Sequence, residues 1–185
     1  MGGLDLEGVR RRDPKALGAF FDAYFDRVFG LVYRMLGDRT LAEDAAQEVF
    51  LKVHRGAHML DPTRDPGPWV STIATNVCRD LWRSGAYRLS HSALSFDDTP
   101  GLKDSLPSQG RNPEGEALAN ERTRLVQEAI QMLREPLREV LVLREYEGLG
   151  YDEISAMTGL NEAAVRKRYS RALTEMGKLL KKAGL

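Results

Sequence analysis

Little in this chain suits an extracellular or membrane setting. Its 185 residues include a single cysteine, Cys78, so no internal disulfide can form and a reducing compartment is expected. No apolar run approaches the length that a membrane-spanning helix requires. The opening MGGLDLEGVRRRD has no signal-peptide core, and Leu6 stands where an N-myristoylation motif needs Ser or Thr. A cytoplasmic chain is the expectation. Strand-like alternation and internal repeats are also missing, which points to an all-α fold. Formal net charge is zero, which argues against a general nucleic-acid coat protein.

Catalytic signatures are missing as well. There is no nucleophile elbow, kinase pattern or Walker loop. Gly148-Leu149-Gly150 lacks the preceding strand and the lysine of a phosphate cradle and reads as a break between helices. His54 and His58 have a zinc-binding spacing, but the third ligand and the glutamate of the usual motif are absent, so Cys78 or His91 would have to complete a site by tertiary accident. No cofactor is expected, and no catalytic residue can be named.

What the chain does have is 42% hydrophobic residues, enough for packed cores, arranged with helical periodicity. Asp13-Pro14 opens a first long helix, along which Leu17, Phe20, Phe21, Tyr24, Phe25, Val28, Leu31, Val32 and Met35 form an apolar face until Gly37. Thr40 and Glu43 have the spacing of a capping box for a second helix running to about His58, buried through Ala42, Ala45, Ala46, Val49, Val53 and Ala57. Its outer side gathers Asp44, Gln47, Glu48, Leu51 and Arg55. A leucine among carboxylates is either an ordinary exposed side chain or part of a docking patch for a basic protein surface.

Three prolines stiffen the loop Leu60–Pro68. A third helix follows, from about Trp69 to Ser84, with Val70, Ile73, Ala74, Val77 and Leu81 facing inward. Thr72, Thr75, Asn76, Arg79 and Arg83 form its outer strip, flanked by Trp69 and Trp82. That strip is either the polar face of any amphipathic helix or a surface for unstacked bases, which want amide hydrogen bonds, ring faces and cations.

Residues 85–113 lack periodicity and are rich in Ser, Gly, Pro and Asp, so they read as a linker between an N-terminal domain at 13–84 and a second at 114–183. Within the second, helices are expected from Glu114 and from Pro136, and YDEISAMTGLNEAAVRKRYSRALTEM, Tyr151–Met176, reads as a helix-turn-helix with Gly159 as stop and Asn161 as cap. Val165, Tyr169, Ala172, Leu173 and Met176 share one side of its second helix; Ala163, Lys167, Ser170, Arg171 and Thr174 share the other. From Asn161 to the end, seven basic residues stand against two acidic ones, and Arg166, Lys167, Arg168 and Arg171 are placed to meet phosphates or guanine edges. On residues alone this is a DNA-reading helix or a solvated basic one.

Three segments in this order, AEDAAQEVFLKV (Ala42–Val53), PWVSTIATNVCRDLWR (Pro68–Arg83) and REVLVLREYEGLGYDEISAMTGLNEAAVRKRYSRAL (Arg138–Leu173), resemble the extracytoplasmic-function sigma factors, small promoter-recognition subunits of bacterial RNA polymerase. The resemblance implies that 13–84 is sigma region 2 and 114–183 is sigma region 4. It assigns Asp44, Gln47, Glu48 and Leu51 to docking on the beta-prime clamp helices of the polymerase core. Leu60, Thr72, Thr75, Asn76, Arg79 and Arg83 fall to the −10 element, with Asn76 meeting a flipped base. Ala163, Arg166, Lys167, Ser170 and Arg171 fall to the −35 element in the major groove. It further implies contact of region 4 with the beta flap, and control by an anti-sigma factor. Ser71, Thr72 and Thr75 stand where the family often has an aromatic residue and arginines, Ser155 where alanine is common, and Ser170 where an aromatic or histidine is frequent. On the residues, a dimeric operator-binding regulator, a protein-only adaptor and a hydrolase based on His54 and His58 are the competing classes.

Overall fold

The computed structural model describes residues 3–85, 87 and 113–184, and among them it is all helical, with no strand. A short helix that sequence periodicity does not reveal comes first: α1, Leu6–Arg10, capped by Asp5, whose carboxylate accepts from the Gly8 amide. Five residues are too few to show a period, yet they bury Val9 completely. Helix α2, Pro14–Leu36, starts as expected, the Asp13 carboxylate accepting from the Lys15 and Ala16 amides. It stops at Gly37, whose φ of 75° favours glycine. Glycine is needed there twice, since a Cβ would also lie 2.5 Å from the Gln131 side-chain oxygen.

Helix α3, Arg39–Gly56, does not use the capping box expected at Thr40 and Glu43. Asp38 lies two residues earlier and its carboxylate reaches the Leu41 amide, which leaves Thr40 inside the first turn and Glu43 paired with Arg39 at 3.1 Å. A 3₁₀ turn, Ala57–Met59, follows. His58 therefore sits outside regular helix, and both His54 and His58 point into solvent. No group of three His, Cys, Asp or Glu able to hold a metal occurs among the described residues, and His91 lies outside them. Helix α4, Gly67–Arg83, completes the N-terminal half.

In the C-terminal half, α5 spans Pro113–Met132, α6 Glu135–Glu145, α7 Tyr151–Thr158 and α8 Glu162–Lys182. The linker expected over 85–113 falls almost wholly outside the described residues. Buried side chains from both halves form one cluster, in which Phe20, Leu31, Met35, Ile130, Leu143 and Ile154 are fully enclosed. Two aromatic residues expected inside are partly out: Phe21 and Phe25 are 42% and 37% exposed. They lie at the edge of the α2–α3 seam, where Phe21 packs on Phe50 with ring centroids 4.6 Å apart.

The two halves meet through a buried cation. Arg138 of α6 donates to the carbonyl oxygens of Ile130, Gln131 and Leu133 at the end of α5, and at 2.7 Å to that of Met35 in the last turn of α2. Burial pulls its guanidinium below the ordinary arginine range, and the four carbonyl dipoles offset that loss. Gln131 adds a bond from its side-chain amide to the Arg34 carbonyl.

Two outcomes are expected. Arg138→Leu orphans several buried carbonyls and lowers stability in urea unfolding by about 2–4 kcal/mol, whereas Arg64→Leu, on an exposed loop, changes it by less than about 0.5 kcal/mol. Cys78 is fully buried and its thiol is pushed up, chiefly by burial; native protein at pH 8 therefore resists alkylation that proceeds readily in denaturant, because the thiolate is the reacting species.

Candidate nucleic-acid and protein interfaces

The helix-turn-helix is built as the residues foretell. Gly159 ends α7 with a φ of 70°, and the Asn161 side chain accepts from the Ala164 amide 2.8 Å away. The Ser155 hydroxyl donates to the Leu160 carbonyl across the turn, so the serine that replaces the family's alanine is satisfied. Val165 and Ala172 are completely buried under α8, while Ala163, Arg166, Lys167, Ser170, Arg171 and Thr174 are all exposed. Leu173 departs from expectation: it is 46% exposed, one step round the helix from Ala172 and beyond the reach of the partners that cover its neighbour.

The basic residues of α8 divide by role. Arg166 lies 4.1 Å over the Tyr151 ring, which also carries Arg144 at 4.7 Å, and its guanidinium is 3.3 Å from the Glu162 carboxylate. Tyr169 stands edge-on to the same ring and donates its hydroxyl to Glu145; that hydrogen bond raises the phenol above its ordinary value. Arg166 is thus held in one orientation while Lys167 and Arg171 point outward. Arg168 turns the other way, into a cleft of about 420 Å³ that it shares with Arg79, Arg83, Glu135 and Glu139.

The expected −10 surface is only partly assembled. Asn76 and Arg83 are exposed and Thr72 is half-buried, its hydroxyl donating to the Pro68 carbonyl one turn back. Two residues are corrected. Leu60 is 4% exposed: it leaves the 3₁₀ turn in an extended conformation and enters the core rather than the loop surface. Thr75 is 1% exposed, because α4 is covered on two sides, by α2 and α3 and by the C-terminal half, and the simple inside–outside division of the helix misses the second cover. Ile73 and Leu81, expected inside, are accordingly only half-buried, while Ser71 is buried.

Arg79 is the residue most changed by that second cover. Its Nε donates to Glu139 at 2.5 Å and its Nη1 to the Met157 carbonyl at 2.9 Å, with Asn76 Oδ1 a further 3.2 Å acceptor. A turn before Thr75, the Ser71 hydroxyl donates to Glu147, which also accepts from Arg27 Nε at 2.9 Å. Glu139 and Glu147 were not singled out by the sequence pattern. A signal existed for Glu139: with Arg138 it interrupts the apolar run from Leu137 to Leu143, and a charge inside such a run needs a partner.

On α3, Asp44, Gln47 and Leu51 are exposed and Glu48 is half-buried, so the expected docking strip is present as a surface. Leu51 is 51% exposed. Beside it a groove of about 380 Å³ runs between α3 and α4, with Leu41, Ala45, Val77 and Leu81 along it and Asp44, Glu48 and Asp80 on its rim. Apolar walls with a carboxylate rim suit a cationic helix carrying an aliphatic knob.

Comparison with known proteins places these surfaces. The Sigma-70 region 2 family model matches residues 20–88, and the Sigma-70, region 4 model matches residues 123–176. The chain is 30% identical over 176 residues to the RNA polymerase sigma-H factor of Pseudomonas aeruginosa, covering 95% of this chain and 91% of that one. It is 30% identical over 178 residues to the RNA polymerase sigma factor CarQ of Myxococcus xanthus, and 29% identical over 180 residues to the ECF RNA polymerase sigma factor SigW of Bacillus subtilis, covering 95% of each chain in both cases. Its fold is similar to that of the sigma factor RpoE from Bartonella quintana, solved with the anti-sigma factor NepR, at a TM-score of 0.70, 18% identity and coverage of 90% of this chain and 98% of that one. It is also similar to CnrH, solved with the cytosolic domain of CnrY, at 0.65, 21% identity and coverage of 96% and 95%. A helix-turn-helix with an outward basic face, an acidic strip around an exposed leucine, and both region models in the expected order lead to one conclusion: the chain belongs to the extracytoplasmic-function sigma factors.

Proposed function

We propose that the protein binds the RNA polymerase core and directs it to promoters whose −35 and −10 elements it reads with separate surfaces. The observation that carries this reading is the outward face of α8, where Ala163, Lys167, Ser170 and Arg171 are exposed together while Val165 and Ala172 opposite them are buried. Small side chains at the start of α8 let it approach base edges in the major groove, and the cations supply phosphate and guanine contacts. In this reading residues 13–84 act as region 2, 85–113 as a tether and 114–183 as region 4. Asp44, Gln47, Glu48 and Leu51 dock on the core, with the beta-prime clamp helices as the partner surface. Asn76, Arg79, Arg83 and Thr72 serve the −10 element. Leu60 and Thr75 act beneath that surface, as support for it.

The division of labour follows from charge. A chain with zero formal net charge binds DNA weakly by itself, since non-specific affinity comes from counterion release at cationic surfaces. Tethering two weak contacts to a large partner raises the effective concentration of the second once the first is made. The protein itself catalyses no bond change, works in the cytoplasm with the polymerase, and is held in check by an anti-sigma factor. No helix among the described residues is long and apolar enough to cross a membrane.

Run-off transcription with core polymerase on a genomic fragment library tests the reading: transcripts from discrete start sites are expected only when both proteins are present, and their absence overturns it. Arg171→Ala removes a base or phosphate contact and weakens promoter binding by about 1–3 kcal/mol, read as loss of run-off product at limiting holoenzyme. Leu51→Asp and Asp44→Lys lower core association in a native gel by roughly tenfold or more without altering the helical signal in circular dichroism.

A further inference from the structure

The promoter-opening helix α4 is already occupied. We propose that in the free chain the C-terminal half acts as an internal competitor for promoter DNA, with the Glu139 carboxylate standing where a phosphate would stand at Arg79. The inference rests on the sigma-factor reading above and adds a contact that reading does not require.

Three observations carry it. Arg79 is spent: Nε is given to Glu139 and Nη1 to the Met157 carbonyl and Asn76 Oδ1, with the side chain only 18% exposed. A guanidinium presents its donors in a fixed fork, and a carboxylate in that fork excludes a phosphate from it. The neighbouring Asn76, expected to meet a flipped base, has its amide oxygen drawn into the same network. Second, α4 is gripped at two points. Glu147, whose side chain is 4% exposed, takes the Ser71 hydroxyl near the start of α4 and Arg27 from α2, while Glu139 takes Arg79 two turns later.

Third, much of the seam is ionic. Arg27 with Glu147 and Arg79 with Glu139 are charged pairs whose members regain water, or phosphate, when the halves part. Contacts between domains of one chain that are polar in this way open and close more readily than apolar ones. A buried carboxylate needs its partner, since stripping one ion from such a pair strongly disfavours the buried state. Arg27 therefore controls the seam from outside the DNA surface, and a partner that holds the two halves apart frees Arg79.

The experiment uses the full chain and a fluorescent single-stranded DNA of random sequence. Arg27→Glu adds negative charge and by simple electrostatics weakens DNA binding; the proposal expects the opposite, affinity on the order of tenfold tighter because the competent state gains population, together with a larger radius of gyration in small-angle scattering. The double variant Arg27→Glu with Glu147→Arg restores the pair and returns both readings toward those of the unsubstituted chain. Glu147→Gln, which keeps the side-chain shape, gives a second way to loosen the seam should Arg27→Glu fail to fold, and Glu7→Gln with Glu121→Gln, both exposed, controls for added positive charge. Weaker or unchanged DNA binding by Arg27→Glu and Glu147→Gln, with unchanged scattering, overturns the proposal. Run-off transcription by the unsubstituted chain with core enzyme separates the two ideas: transcription without any effect of the seam variants sinks the competitor alone, and no transcription sinks the reading on which it rests.

Discussion

One guanidinium, that of Arg138, determines how the two halves of this molecule can meet. A helix leaves its last carbonyls without partners, and here the ends of α2 and α5 come together so that both sets point at the same cation. The cation is favoured by the negative ends of two helix dipoles and the carbonyls by a donor that water cannot displace. Its placement fixes the direction in which α6 leaves, and α6 in turn presents Glu139 and Glu147 to α4. Gly37 and Gln131 make the same junction from the other side, the glycine by leaving room and the amide by bonding to Arg34.

The two DNA-facing surfaces depend on this junction unequally. The helix-turn-helix needs only its own parts: the Gly159 stop, the Asn161 cap, the Ser155 bond and the buried line of Ile154, Val165 and Ala172. Tyr151 and Tyr169 stiffen it further by ordering Arg144, Arg166 and Glu145 around two rings. The α4 surface is a shared property of both halves, because the buried flank bearing Ser71 and Thr75 exists only while the C-terminal half lies against it.

That difference explains which features could be read from the residues. Caps, stops and buried faces are local, so α2 and the helix-turn-helix were legible with their boundaries, as were the exposed Asp44, Gln47 and Leu51. Where two acceptors compete for one helix start, spacing alone does not choose, and Asp38 displaced Thr40. Features created by contacts remote in sequence were hidden: Glu139 with Arg79 lies 60 residues apart and Ser71 with Glu147 lies 76. Leu60 and Thr75 were misplaced for the same reason, each being judged against a single neighbour when two were present. Arg138 was visible only as a charge in the family-like run, and nothing in the run tells which carbonyls it will find.

The outward face of α8 has a consequence for timing. Ala163, Lys167, Ser170 and Arg171 are open to a double helix without any rearrangement, whereas Arg79 on the strand-separating side has to trade one anionic partner for another. A searcher made this way can sample intact duplex before it is equipped to part the strands. Landing and melting then become successive events, ordered by which arm is unfurled first.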